Sequence, residues 1–211
     1  MRYIEKGCEP PAFTGWKTQG DANWAPVWRD FDGQPIKQVV KRALLADQGY
    51  LCCYCEIRTD EGSGHIEHVE PRSKRHDLEL VYENLLYCCA ETPKGRPTTC
   101  GHARKRDDPV PVSPLQPDCE SRFLYTELGE MLPRKEHDFD ARETVRILKL
   151  NEKLLRDARA GVYQEVVRAR DELSPDEFRR WMGIELQRDA NKMLNPFWGT
   201  KRYLAERILE A

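Results

Sequence analysis

The sequence predicts an α+β fold: a small cysteine-rich core of short strands, wrapped by an N-terminal arm and helix and by a helical C-terminal region. Three observations predict it. Six of the eight cysteines fall between residues 52 and 100. The stretch His65-Ile66-Glu67-His68-Val69 between them reads as a strand, and the last third of the chain carries repeated helix-capping signals.

The elements follow in order. Residues 1–34 hold Pro10-Pro11, several glycines and Trp16, Trp24 and Trp28, which predicts an extended arm anchored by aromatic packing rather than regular structure. Pro35 opens a helix whose apolar positions Ile36, Val39, Val40, Ala43 and Leu44 keep helical spacing, with Gly49 placed as a left-handed cap. Residues 50–106 contain nearly all the chemistry: Cys52-Cys53-Tyr54-Cys55, the strand at 65–69, Asn84 through Cys89, and Cys100-Gly101-His102. Prolines break regular structure over 107–119. A short hairpin follows, Phe123–Thr126 and Glu130–Leu132, turning near Gly129. Asp140 with Glu143, and Ser174-Pro175-Asp176-Glu177, have the side chains of capping boxes, Asn151 is placed to cap a longer helix, and a final helix follows Pro196. The expected divisions are an arm and helix at 1–49, a core at 50–120, and a hairpin and helical region at 121–211 that forms one unit with the core.

Composition excludes some classes of function. A hydrophobic fraction of 39% and a charged fraction of 33% are those of a globular protein, not a disordered one. A formal net charge of −2 argues against coating nucleic acid by bulk electrostatics. Local basic stretches remain, Arg72-Lys74-Arg75 and Lys94-Arg96-Arg104-Lys105-Arg106, and both flank the cysteine and histidine motifs. No run approaches the roughly 20 apolar residues of a membrane span, and the N-terminus lacks an apolar leader segment. A cytoplasmic location is expected. In that reducing compartment clustered cysteines point to a metal rather than to disulfides.

Two cysteine pairs make a tetrahedral site for zinc, and Cys52 and Cys55 have the common two-residue gap. Cys89 and Cys100 supply the second pair across a loop that must fold back. Adjacent cysteines leave the register open between Cys88 and Cys89 and between Cys53 and Cys55. Between the pairs lie Glu67, His68, Asn84 and His102, residue types that suit phosphodiester hydrolysis: a general base, an orienting amide and ligands for a divalent cation. Consecutive strand residues point to opposite faces, so Glu67 and His68 can serve one reaction only if the strand ends there, as Pro71 allows.

This pattern resembles the HNH endonucleases of the His-Me finger group, with their ββα-metal fold and, in many members, a cysteine-bound zinc. The residues that carry it are Cys52 and Cys55, Glu67-His68-Val69-Glu70-Pro71, Asn84-Leu85, Cys89, and Cys100-Gly101-His102-Ala103-Arg104-Lys105. A fuller resemblance joins the N-terminal arm, Tyr54-Cys55-Glu56, the Cys-Gly-His motif and Thr144 to Arg156. It is similar to the PtuB-like HNH nucleases of Septu and retron-associated antiphage systems. That resemblance implies that His68 is the general base and that Asn84 holds the catalytic loop. It implies magnesium or manganese at Glu67 and His102, with His65 as a rival ligand because Gly101 separates His102 from the last cysteine. It further implies nucleic acid as substrate, DNA before RNA, contacted by Arg72, Lys74, Arg104 and Lys105, and a PtuA-like ATPase partner on the C-terminal helices. The competing expectations are a zinc-stapled nucleic-acid or protein adaptor without catalysis, and a nuclease acting on RNA, including transfer RNA.

Overall fold

Two antiparallel hairpins supply the strands of the computed structural model, which describes residues 1–90, 99–103 and 110–209. The first pairs β1 (Gly64–His68) with β2 (Leu85–Cys89), in a register that sets His65 opposite Cys88 and His68 opposite Leu85. Alternation along these strands sends side chains to two layers. Ile66, Leu85 and Tyr87 pack against Phe13, Trp28, Phe31, Val40 and Leu44, whereas Leu86 and Cys88 join Cys52–Cys55, Cys100, Leu148 and Leu150. All five residues of β2 are buried, as expected for a strand covered on both faces.

The first layer is the N-terminal region. The predicted helix is present as α3 (Ile36–Asp47), preceded by Pro35, with Gly49 at φ +62°. Here the buried Gln48 side chain donates to the carbonyls of Leu51 and Tyr87 and accepts from the Tyr87 N–H, which fastens α3 to β2. The arm is not simply extended. It forms α1 (Pro11–Lys17) and the single turn α2 (Trp28–Phe31). Pro11 at the first helical position suits α1, and Phe13, Trp16 and Phe31 stack with ring separations of 5.3–6.2 Å. Burial of those rings overrides the local signal of the prolines and glycines.

The second layer begins with the Cys52–Cys55 turn. It continues through α4 (Cys100–Ala103) to the hairpin β3 (Phe123–Tyr125) and β4 (Met131–Pro133) and to α5 (Phe139–Ile147). Asp138, not Asp140, caps α5: it accepts from the Ala141 N–H at 2.9 Å while paired with Arg122. Asn151 also does something other than cap a helix. Its amide brackets the Met131 backbone, accepting at 2.8 Å and donating at 2.9 Å, and α6 (Lys153–Glu172) starts two residues later with Glu152 at its cap. The helices α6, α7 (Pro175–Leu186) and α8 (Trp198–Leu209) share a core of Val166, Phe178, Met182, Leu204 and Ala205. The Ser174/Glu177 capping box is present as predicted. Buried Lys201 of α8 pairs with Glu185 of α7 and lies 3.8 Å from Glu165 of α6. No helix among the described residues is long and apolar enough to cross a membrane.

Gly129 turns the second hairpin at φ +73°, and a Cβ there would come 1.9 Å from the Arg156 carbonyl oxygen. Its own carbonyl accepts from the buried Arg159 guanidinium at 2.7 Å, so the turn lies directly on α6. Gly33 also has positive φ, but with open space around it. Gly33→Ala therefore costs only the left-handed backbone penalty, about 1 kcal/mol, whereas Gly129→Ala adds a backbone collision and costs about 3 kcal/mol or more. Thermal melting checks this at roughly 2–4 °C per kcal/mol for a chain of this size. Equal shifts in the two variants contradict the packing of the turn.

Candidate active site and metal centre

The cysteines come together because three separate segments end at one point. The chain after α3 folds into a knuckle, held by Cys52 N–H to Ile57 O at 2.9 Å and Glu56 N–H to Cys52 O at 3.1 Å. Cys53 N–H donates to Tyr87 O at 3.1 Å, which lays the knuckle along β2. The third segment, α4, is anchored where Cys100 N–H meets Leu148 O at 2.9 Å. The sulfurs of Cys52, Cys88, Cys89 and Cys100 all lie within 4.8 Å of one another and are buried. Cys52 Sγ is 3.9 Å from Cys88 Sγ and from Cys100 Sγ, and Cys55 Sγ is 3.9 Å from Cys89 Sγ.

A tetrahedral ion with bonds of about 2.3 Å to sulfur separates its ligands by about 3.8 Å, so this spacing and donor set fit zinc. The close group holds Cys52, Cys89 and Cys100, three of the four cysteines expected as zinc ligands. The fourth sulfur of the close group is Cys88, where the sequence reading has Cys55. Cys88 points from β2 into the layer that holds Cys52 and accepts from the Gly101 N–H at 3.4 Å, while Cys55 lies against the group, 3.9 Å from Cys89 and close enough to interact with Cys52 and Cys100 as well. Burial pushes the Cys88 thiol well above the ordinary range, whereas the hydrogen bond with Cys100 brings Cys89 down to about 5; a bound cation would favour ionisation of the whole group.

On the same side of β1, Glu67 is buried, receives the Tyr54 hydroxyl at 3.2 Å and lies 3.3 Å from His65 Nε2. The His65 and His102 rings are 4.3 Å apart. Gly101 explains the close approach: a Cβ at that position would stand 2.7 Å from Glu67 Oε2. The glycine that interrupts the family pattern thus lets α4 lie on the carboxylate. His65 thus has Glu67 on one side and the exposed His102 on the other; all three are residue types that bind divalent cations, but among the described residues only the cysteine sulfurs converge within 4.8 Å of one another.

His68 ends β1 and faces the other way, toward the arm. It is 7% exposed, with Nε2 3.0 Å from the Glu79 carbonyl oxygen and its ring 4.3 Å from that of Trp28. Burial lowers its pKa to about 4, against the pull of the Glu79 hydrogen bond. Asn84 is buried at the foot of β2, where Oδ1 accepts from Glu70 N–H at 2.8 Å and Nδ2 donates to Glu70 O at 3.2 Å and Leu78 O at 3.1 Å. One side chain therefore clamps both ends of the segment 70–78, whose next residue supplies the carbonyl that faces His68. Arg72 lies on this segment with its guanidinium carbon 5.1 Å from the Trp28 ring, and Lys74 sits on the exposed turn beside it. Arg104 and Lys105 fall outside the described residues.

Sequence reasoning missed Tyr54 and Glu79 as members of the site. Glu79 acts through its backbone, which no residue pattern reveals, and Tyr54 looked like part of the cysteine motif.

No family model matches the chain. It is 30% identical over 127 residues to a protein of Vibrio cholerae assigned as the HNH endonuclease of retron Vc95, covering 57% of this chain and 61% of that one. It is 28% identical over 96 residues to an Escherichia coli protein assigned the same way in retron Ec83, covering 42% of this chain and 37% of the relative. The chain thus spans less than two thirds of either relative.

The sulfur geometry predicts that Cys52→Ser, Cys88→Ser, Cys89→Ser and Cys100→Ser each lose zinc, measured by elemental analysis of purified protein, while exposed Cys8→Ser keeps it. Zinc retained in Cys88→Ser and lost in Cys55→Ser assigns the fourth ligand to the Cys52/Cys55 pair instead.

Proposed function

We propose, from the HNH endonuclease assignment that the two retron relatives support, that this chain is a metal-dependent nuclease hydrolysing phosphodiester bonds, of DNA in preference to RNA. The observation that carries the reading is the clamp made by Asn84. It fixes the segment 70–78 and so the Glu79 carbonyl that orients His68.

A carbonyl oxygen only accepts, so Nε2 of His68 carries the proton and Nδ1 the lone pair. The buried imidazole is neutral at pH 7 and takes a proton from the attacking water through Nδ1. Burial weakens it as a base, and the negative charge of an approaching phosphate counters that by favouring the protonated form. Glu67 and His102, with His65 beside them, would hold magnesium or manganese, which would supply stabilisation of the charge that develops on the phosphate and the leaving oxygen. Because β1 ends at His68, a phosphate at the strand end reaches the base on one face and the carboxylate on the other. Arg72 and Lys74 contact the phosphate backbone, with Arg104 and Lys105 assigned the same role from the sequence. The cysteine-bound zinc keeps these parts in place. An ATPase partner, as in antiphage defence, docks on α6–α8, where Leu154 and Ile184 are 60% and 69% exposed.

The test compares wild type, His68→Ala and Asn84→Ala, alone and coexpressed with the genomic neighbour, on plasmid DNA and total RNA, with manganese or with chelator. Zinc content is confirmed first. His68→Ala is expected to lose about 10²–10⁴-fold in rate with zinc intact. Asn84→Ala, which frees the segment, is expected to lose cleavage and about 2 kcal/mol of stability by leaving buried backbone groups unpaired. Equal cleavage by wild type and His68→Ala contradicts the assignment of the base, and cleavage of RNA alone contradicts the preference for DNA.

A further inference from the structure

Trp28 lies forty residues before His68 and outside every motif of the site, yet its contacts converge on the proposed base. Its ring meets the His68 imidazole at 4.3 Å and an interplanar angle of 73°, an edge-to-face arrangement. Its backbone N–H donates to Glu79 Oε1 at 2.9 Å, and the Glu79 carbonyl is the group 3.0 Å from His68 Nε2. The arm therefore reaches His68 by two routes, through the indole and through Glu79. A third contact leads toward the substrate: the exposed Arg72 guanidinium lies over the same indole at 5.1 Å. The indole is itself buried, 9% exposed and 5.1 Å from the Phe31 ring, which packs at a tilt on Phe13.

We infer that Trp28 is a positioning residue, setting the plane of the His68 imidazole and holding Arg72 toward the phosphate, so that the N-terminal arm completes the nuclease site. The inference rests on the reading of His68 as the base. The Glu79 carbonyl fixes the Nε2 edge of the ring, and an aromatic wall against the ring removes its freedom to rock about that bond. Misplacement of a base by about 1 Å costs on the order of 10²-fold in rate. A residue that only filled the core would be replaceable by any apolar side chain of similar bulk without touching the rate.

The experiment uses the full chain with zinc content and melting temperature checked, and compares Trp28→Leu, Trp28→Phe, Glu79→Ala and His68→Ala. Trp28→Leu is expected to lower kcat about tenfold to a hundredfold and to raise KM for a DNA duplex severalfold, because it releases both His68 and Arg72. Trp28→Phe, which keeps an aromatic wall, recovers most of kcat. Glu79→Ala cuts the second route alone and lowers kcat without raising KM. Nitrogen-15 spectra of His68 give a readout independent of turnover: a single Nε2–H tautomer in wild type and a mixture in Trp28→Leu. Wild-type kcat and a single tautomer in folded, zinc-loaded Trp28→Leu overturn the inference. If that variant does not fold, Trp28→Met, which keeps an apolar side chain of greater length without the aromatic wall, takes its place, and wild-type kcat with a single tautomer there overturns the inference. If His68→Ala cleaves as well as wild type, the reading of the base fails, and the spectra alone then decide whether Trp28 positions the ring.

Discussion

The meeting of the cysteine sulfurs is the constraint on which the rest of the site depends. Neither of the elements it joins is stable by itself: a two-stranded hairpin is marginal in water, and the four-residue α4 is far below the length at which a helix persists. The knuckle at Cys52, the end of β2 and the start of α4 are brought within 4.8 Å of one another in a buried cluster. Once α4 is anchored there, Gly101 abuts Glu67 and His102 stands beside His65. A metal held by these sulfurs would hold the face of β1 that carries His65 and Glu67 at the same time.

The opposite face of β1 is ordered by a different device, made of neutral hydrogen bonds. Asn84 spends its amide on the backbone of Glu70 and Leu78, and the chain it pins returns a carbonyl to His68. The two devices meet because Asn84 immediately precedes β2 and the cysteines Cys88 and Cys89 end it. One five-residue strand thus connects the clamp beside His68 to the cluster beside Glu67. Glu56 extends the arrangement to the C-terminal region: its buried carboxylate accepts from Gly199 N–H at 2.6 Å and its carbonyl from Phe197 N–H at 3.0 Å, tying the knuckle to the start of α8.

Much of this was legible in the sequence, and the reasons for the rest are physical. Local signals with one dominant cause were read correctly: helical spacing after Pro35, the Ser174 capping box, the Gly129 turn and the strand expected at 65–69, which spans 64–68. Asp140 and Asn151 have the chemistry of caps, but tertiary partners decided otherwise. Arg122 holds Asp138 at the start of α5, and the Met131 backbone occupies Asn151. The arm was read as irregular because prolines and glycines dominate it locally, whereas burial of Phe13, Trp28 and Phe31 against β1 and β2 is a long-range effect. Adjacent cysteines could not be told apart from spacing alone, since which of them faces the cluster depends on the strand's register. The grouping of His65 with Glu67 followed from strand alternation, and the separation of His68 from them followed from the same rule.

Hydrogen exchange measured on the zinc-loaded and the metal-stripped protein tests most directly whether the sulfur cluster holds the site together. The account predicts that stripping the metal exposes the amides of β1, β2 and the 100–103 segment to rapid exchange, while those of α6, α7 and α8, which have their own core, keep their protection. Unchanged protection of β1 and β2 without metal would contradict it.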